Sequence, residues 1–231
     1  MSLATPYRLL LSVVAPPCCP ACGELVRGAG GTDRLCPDCA AALPWLGADT
    51  CPRCALPRPC APCPAARAPW ERAWSPFAHD GPARDLVAAL KFRGLLAAAD
   101  LLAAPMAAGA GELWEEATIV PVPADPRRRR RRGFDHAALI AEALARRTGR
   151  PLQHALRRAA APRQLGAGRG ARHARAAQTA PTAAGRIPPG TIVLVDDVHT
   201  TGATLRACTS ALRAEGCRRV HVLTATRATG R

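Results

Sequence analysis

The sequence predicts an α/β protein: a mostly parallel sheet with flanking helices, preceded by a small cysteine-rich domain. Three observations predict it. From residue 70 onward, short apolar runs alternate with segments of helical period. Nine of the eleven cysteines fall within residues 18–64. Finally, the apolar run Thr191–Val195 passes through two acids and a Thr/Gly loop into a helix, an arrangement suited to ligand binding at a sheet edge. At 231 residues the chain holds one ordinary domain plus a small appendage. Aromatics make up 3%, so the core is built from Ala, Leu and Val. No apolar run approaches the roughly 18–20 residues that span a bilayer, which argues against membrane insertion.

Residues 1–17 read as a short N-terminal helix. Tyr7–Ala15 is apolar but lacks a charged leader and an A-x-A cleavage site, so it is not read as a signal peptide. A chain without a targeting segment is expected in the cytoplasm, where thiols stay reduced.

Residues 18–68 carry four CxxC pairs: Cys19/Cys22, Cys36/Cys39, Cys51/Cys54 and Cys60/Cys63. Each pair sets two thiolates on one knuckle, and two knuckles complete a tetrahedral four-cysteine zinc site. A single CxxC can be a redox motif; four within a Pro-rich stretch outside a βαβ unit argue for zinc, one or two structural ions. Sequential pairing is simplest, though the five residues between Cys54 and Cys60 leave crossed pairing open. Cys18 reads as an alternate ligand or a bystander, and Cys208 and Cys217 as ordinary helix and turn residues.

Residues 70–231 read as the main domain. Ala73–His79 has strand character weakened by Pro76. Asp85–Lys91 is helical, with Gly94 as its stop. Thr118–Val122 is a strand, Phe134–Arg147 a helix closed by Gly149. Thr191–Val195 is continuously apolar, as a strand buried on both faces is. Thr204–Glu215 is a helix ending before Gly216, and Arg219–Ala225 an alternating strand.

The formal net charge is +15, and Lys91 is the one lysine among 32 basic residues. That field attracts phosphates, nucleic acid or polyphosphorylated metabolites, although part of the Arg content fits compositional bias. Arg127–Arg132 are six consecutive arginines, expected as a mobile, solvated loop able to order over a polyanion.

The run Ile192–Thr204 (IVLVDDVHTTGAT) carries the chemistry. Asp196 and Asp197 emerge at the carboxyl edge of a buried strand, where paired carboxylates accept from two ribose hydroxyls and help hold a divalent cation. Thr200, Thr201, Gly202, Ala203 and Thr204 lead into a helix whose free N–H groups and positive dipole end suit a phosphate. Gly202 permits close backbone approach.

This thirteen-residue arrangement resembles the PRPP-binding motif of the type I phosphoribosyltransferases. Val120-Pro121-Val122-Pro123, the Arg run and Arg132-Gly133-Phe134 are similar to the VPVP…R..RGFN signature of the ComF family. Leu90–Gly94 resembles that family's LKYRG segment. Pro162-Arg163-Gln164 with Arg172 resembles its T..Q…R..N stretch, and the four CxxC pairs its double zinc ribbon. The family's GFNQ reads Gly133-Phe134-Asp135-His136 here, and its later Asn reads Arg175.

The resemblance, to ComF/GntX-like proteins, implies a type I phosphoribosyltransferase fold, PRPP as ligand and Mg²⁺ bound with it. It places Asp196 and Asp197 on the ribose, Thr200–Thr204 on the 5′-phosphate, and the backbone near Val122 and Pro123 by the pyrophosphate. Lys91, Arg93, Arg128, Arg130 and Arg132 are candidate polyanion contacts. It implies transfer of a pentosyl group, or PRPP binding without turnover in DNA uptake beside a helicase-like ATPase. The alternative is a zinc-ribbon nucleic-acid binder, single-stranded DNA included, with a regulatory PRPP site. A homo-oligomer is compatible with either.

Overall fold

The computed structural model describes residues 18–26, 34–158 and 181–230. The expected N-terminal helix over 1–17 and the stretch from Pro162 to Arg175 lie outside the described residues.

Helix α1 (Pro37–Ala41) is capped by Cys36 and carries Cys39, so it forms the second knuckle. Strands β1 (Arg72–Trp74) and β2 (Phe77–Ala78) follow, then α2 (Gly81–Phe92), α3 (Ala97–Gly109) and β3 (Ala117–Pro121). Next come α4 (Pro126–Arg132), α5 (His136–Thr148), the β4–β5 hairpin pair (Leu156–Arg158, Pro181–Ala183), β6 (Thr191–His199), α6 (Ala203–Ala214) and β7 (Arg219–Arg227). The main sheet runs β1-β7-β6-β3 and is parallel throughout, with β2 also on β7. β1 and β2 are the two halves of the single strand expected at 73–79. Pro76 lacks the N–H to continue the ladder, so the edge strand breaks there.

Alternation along β6 assigns the two faces of the sheet. Val193 and Val195 pack with Ile119, Leu223 and the helices α2, α3 and α5. Ile192 and Leu194 pack with Val120, Val220, Val222 and the α6 residues Leu205, Cys208 and Leu212. Both faces are therefore covered, which explains the unbroken apolar run. The cysteine-rich segment divides between them: Cys19 and Cys39 enter the first core, Cys51 and Cys54 the second. Arg93 binds the first knuckle to α2 by donating to the carbonyls of Pro20 and Ala21.

The Arg run departs from the expected loop. It forms α4, with Asp125 accepting from the N–H groups of Arg127 (2.9 Å) and Arg128 (3.2 Å), Pro126 in the first turn and left-handed Gly133 at its end. Arginine is a good helix former, and cations in the last turn suit the helix dipole; that outweighs the repulsion expected of six like charges. None of the six is buried. Among the described residues no helix is long and apolar enough to cross a membrane.

Candidate functional site

The eight paired cysteines form two clusters, Cys19/Cys22/Cys36/Cys39 and Cys51/Cys54/Cys60/Cys63, each with its four sulfurs within 4.8 Å of one another. Pairing is sequential, which answers the question left by the short Cys54–Cys60 spacing. Burial raises the Cys51 thiol, but the N–H groups of Arg53 and Cys54 outweigh it and bring it down to about 6. Cys19 is likewise brought to about 6, by the N–H groups of Cys36 and Cys22. Four sulfurs, one of them a ready thiolate, fit a closed tetrahedral zinc site with no position left for substrate. Elemental analysis of protein purified without added metal is expected to find two zinc ions per chain; fewer than about half an ion in folded protein contradicts this.

The parallel strands end together, so β3, β6 and β7 present their carboxyl ends at one edge. Asp196 and Asp197 project to opposite faces there. Asp197, nearly fully buried, pairs with the Lys91 ammonium, Nζ to Oδ2 at 2.5 Å, and the same oxygen lies 3.1 Å from His136 Nε2. Burial pushes the His136 imidazole down, against the pull of Asp197. Asp196 is driven well above the ordinary carboxylate range by burial first and by the Asp197 carboxylate second. His136, Asp196 and Asp197 each offer one ligand atom, all within 4.8 Å of one another. One imidazole and two carboxylates are a fitting donor set for a divalent cation.

Asp135 and His136 have different roles, and Arg175 lies outside the described residues. Asp135 caps α5 by accepting from Ala137 and Ala138, and its other oxygen accepts from the Ala124 N–H at 2.9 Å. It is a structural residue. His136, one position on, faces the acids.

The loop after β6 is exposed at Thr200, Thr201 and Ala203. Gly202 takes φ 75°, and a Cβ there would lie 2.9 Å from His199 Nε2 and 3.1 Å from the Trp70 ring. Gly202→Ala is therefore expected to cost about 1–2 kcal/mol from the left-handed backbone alone, with the crowding in addition. Urea unfolding checks it; a midpoint within error of wild type would contradict the packing.

Several sequence candidates are placed differently. Lys91 lies in the acid cluster. Arg132 stands over the Phe92 ring at 5.0 Å and 3.4 Å from His136 Nδ1, beside the site. Arg128 and Arg130 are exposed on α4. Arg93 is away from the edge, engaged at the first cysteine knuckle. The Val122 N–H already donates to Val195 O at 2.8 Å, and Pro123 has none, so these two offer a wall without donors. Cys208 and Cys217 lie in the core, as expected of ordinary residues, and burial pushes Cys208 up to about 12. Sequence reasoning missed His199, Trp70 and Arg227, which lie beneath the loop.

A parallel sheet covered on both faces, with an acid pair and a Thr/Gly loop at its carboxyl edge, defines the class. The family model described as "Phosphoribosyl transferase domain" matches residues 135–230. Among solved structures, the chain is similar to "the allosteric regulatory enzyme of purine biosynthesis" (22% identity, 55% of this chain, 25% of that one, TM-score 0.38). It is also similar to phosphoribosylpyrophosphate synthetase from Mycobacterium smegmatis (21%, 54% and 33%, 0.30). A third is orotate phosphoribosyltransferase from Aeropyrum pernix (19%, 62% and 76%, 0.37). The chain thus spans a quarter of the first protein's length and a third of the second's. No curated protein matches it.

Proposed function

We propose that this chain is a ComF-like, PRPP-binding member of the phosphoribosyltransferase group. In this reading residues 18–68 form a double zinc ribbon and residues 70–231 the phosphoribosyltransferase domain, in the cytoplasm. The observation that carries it is the meeting of Asp196, Asp197, Lys91 and His136 near the carboxyl end of β6, directly ahead of the Thr200–Thr204 loop.

Asp196 and Asp197 accept from the ribose hydroxyls. Thr200, Thr201, Gly202, Ala203 and Thr204 take the 5′-phosphate through N–H and hydroxyl donors at the α6 N-terminus. Val122 and Pro123 wall the pyrophosphate side, and Lys91, Arg128, Arg130 and Arg132 supply its positive charge. Mg²⁺, held through the oxygens of Asp196 and Asp197, would neutralise phosphate charge. A nitrogen lone pair forms the new bond to ribose C1 as the C1–O bond breaks, and its electrons leave with pyrophosphate. Positive charge then develops at C1, so the work of these residues is positioning and charge stabilisation.

Calorimetry with PRPP and Mg²⁺ tests binding, and PRPP–pyrophosphate isotope exchange tests turnover. Asp196→Asn and Asp197→Asn are each expected to weaken PRPP at least about tenfold, since one charged hydrogen bond is worth roughly 1.5–3 kcal/mol. Unchanged affinity in both places the ligand elsewhere.

A second reading rests on α4. Its exposed arginines run up to Phe92, which is 70% exposed under the Arg132 guanidinium. A basic helix beside an exposed ring suits single-stranded DNA, and with it a role in competence beside a helicase-like ATPase. Replacing Arg128, Arg130 and Arg132 with Gln would then flatten the salt dependence of DNA binding by about 0.7 per lost phosphate contact. An unchanged slope with weakened PRPP assigns α4 to the pyrophosphate.

A further inference from the structure

Arg227 closes β7 and is 4% exposed, yet no carboxylate forms an ion pair with it among the described residues. Its guanidinium instead collects four backbone carbonyls. Nε donates to Cys54 O at 2.7 Å; the two N–H groups of Nη1 are shared among His199 O at 2.6 Å, Thr200 O at 2.7 Å and Ala228 O at 2.9 Å. Cys54 belongs to the second cysteine cluster, whereas His199 and Thr200 open the phosphate loop. One buried side chain thus binds the two together.

Other contacts run the same way. Trp70 Nε1 donates to Arg53 O at 2.8 Å, and Arg53 donates back to the carbonyls of Trp70, Glu71 and Ala68. The Trp70 ring meets His199 edge-on with centroids 5.6 Å apart, beneath Gly202. Arg206, in the first turn of α6, donates to Pro64 O at 2.7 Å, just past Cys63. Among the described residues the first cluster has no such link to the loop: it packs on the opposite face, against α2 and α3.

A buried guanidinium needs a counter-charge. Four thiolates around a divalent zinc leave a net double negative charge beside Cys54, on the Arg227 side. A filled second site therefore supplies what no carboxylate does.

We infer that Arg227 is a positioning residue that couples the second cysteine site to the phosphate loop, so that zinc at Cys51, Cys54, Cys60 and Cys63 sets the order of residues 199–204, while the first site has no such control. The consequence for PRPP affinity rests on the function proposed above; the coupling itself does not.

Amide hydrogen exchange on the full chain, held cold, reads the coupling without substrate. In Arg227→Lys, which keeps the charge and loses the fork, protection of the loop-closing amides, Ala228 donating to His199 O at 3.0 Å and Arg206 donating to Gly202 O at 2.8 Å, is expected to fall at least about tenfold, with both zinc ions retained and α2 unchanged. Cys60→Ser, at the rim of the second site, should expose the same amides once its weakened zinc is drawn off by a chelator. Cys22→Ser, treated alike at the first site, should leave them protected. Loop protection that stays at the wild-type level in Arg227→Lys and Cys60→Ser overturns the inference, as does equal loss in Cys22→Ser. Should either Arg227→Lys or Cys60→Ser fail to fold, the wild-type chain under the chelator decides it: loop amides that stay protected after both zinc ions leave refute the coupling. A wild type that fails to bind PRPP would refute the proposed ligand while leaving this reading of the loop intact.

Discussion

Cys54→Ser is expected to lose one zinc ion per chain and to lower the thermal midpoint by more than about ten degrees. Cys54 is fully buried, in one core with Ile192, Leu194 and Val220 beneath the sheet. Structural zinc binds with roughly 10–16 kcal/mol in isolated peptides, comparable to the whole stability of a domain at about 5–15 kcal/mol. Part of that reappears as packing in a folded chain, so a loss of about 5 kcal/mol is the reasonable scale, at the upper end for one substitution. For a chain of this size each kcal/mol is about 2–4 degrees. Cys22→Ser, at an exposed position, should lower the midpoint less. Circular dichroism melts with metal analysis make the comparison. Equal midpoints for the two variants would mean that the second cluster carries no more of the fold than the first.

The parts of the site that were legible in the sequence are those with a local pattern. Thr191–Val195 announces a strand buried on both faces, the acids that follow must reach its carboxyl end, and Gly202 marks a close approach of backbone, met in the structure by His199 and Trp70. CxxC spacing gives the knuckles directly. What escaped was everything whose partner lies far away in the chain. Arg227 binds a carbonyl 173 residues earlier, and a carbonyl has no side-chain signature. The strand expected at Arg219–Ala225 stops before it, so Arg227 fell outside every element read from the sequence. The Arg run was misjudged because repulsion was weighed without its cap: Asp125 and Pro126 start a helix that six arginines alone would start poorly. Asp135 and His136 look equivalent on paper, and only the start of α5 separates a cap from a site residue.

The two adjacent acids should separate in stability while agreeing in function. Asp197→Asn removes the anion between Lys91 and His136, leaving an ammonium that is 20% exposed beside an imidazole. Breaking a buried pair costs roughly 3–5 kcal/mol; Lys91 keeps a path to water, so about 2 kcal/mol is expected. Asp196→Asn should cost nothing, or stabilise the free protein. Burial and Asp197 raise its folded pKa, so the folded state favours the protonated acid, which an amide imitates. The pH dependence follows from the sign. As pH rises past the ordinary carboxylate value near about 4, the unfolded chain releases this proton first. Stability contributed by Asp196 is thus full at low pH and is lost as pH climbs toward the raised folded value. Urea midpoints measured from about pH 4 to pH 8 should therefore fall less with pH in Asp196→Asn than in wild type. Both variants should still lose PRPP, because the bound ribose and cation need both oxygen donors charged. A carboxyl whose pKa is raised in the free protein and which must be charged in the complex makes binding proton-linked, so PRPP with Mg²⁺ should release protons over the range in which Asp196 titrates, seen as a heat that changes with the ionisation enthalpy of the buffer. A binding heat identical in all buffers would show that Asp196 is already ionised in the free protein.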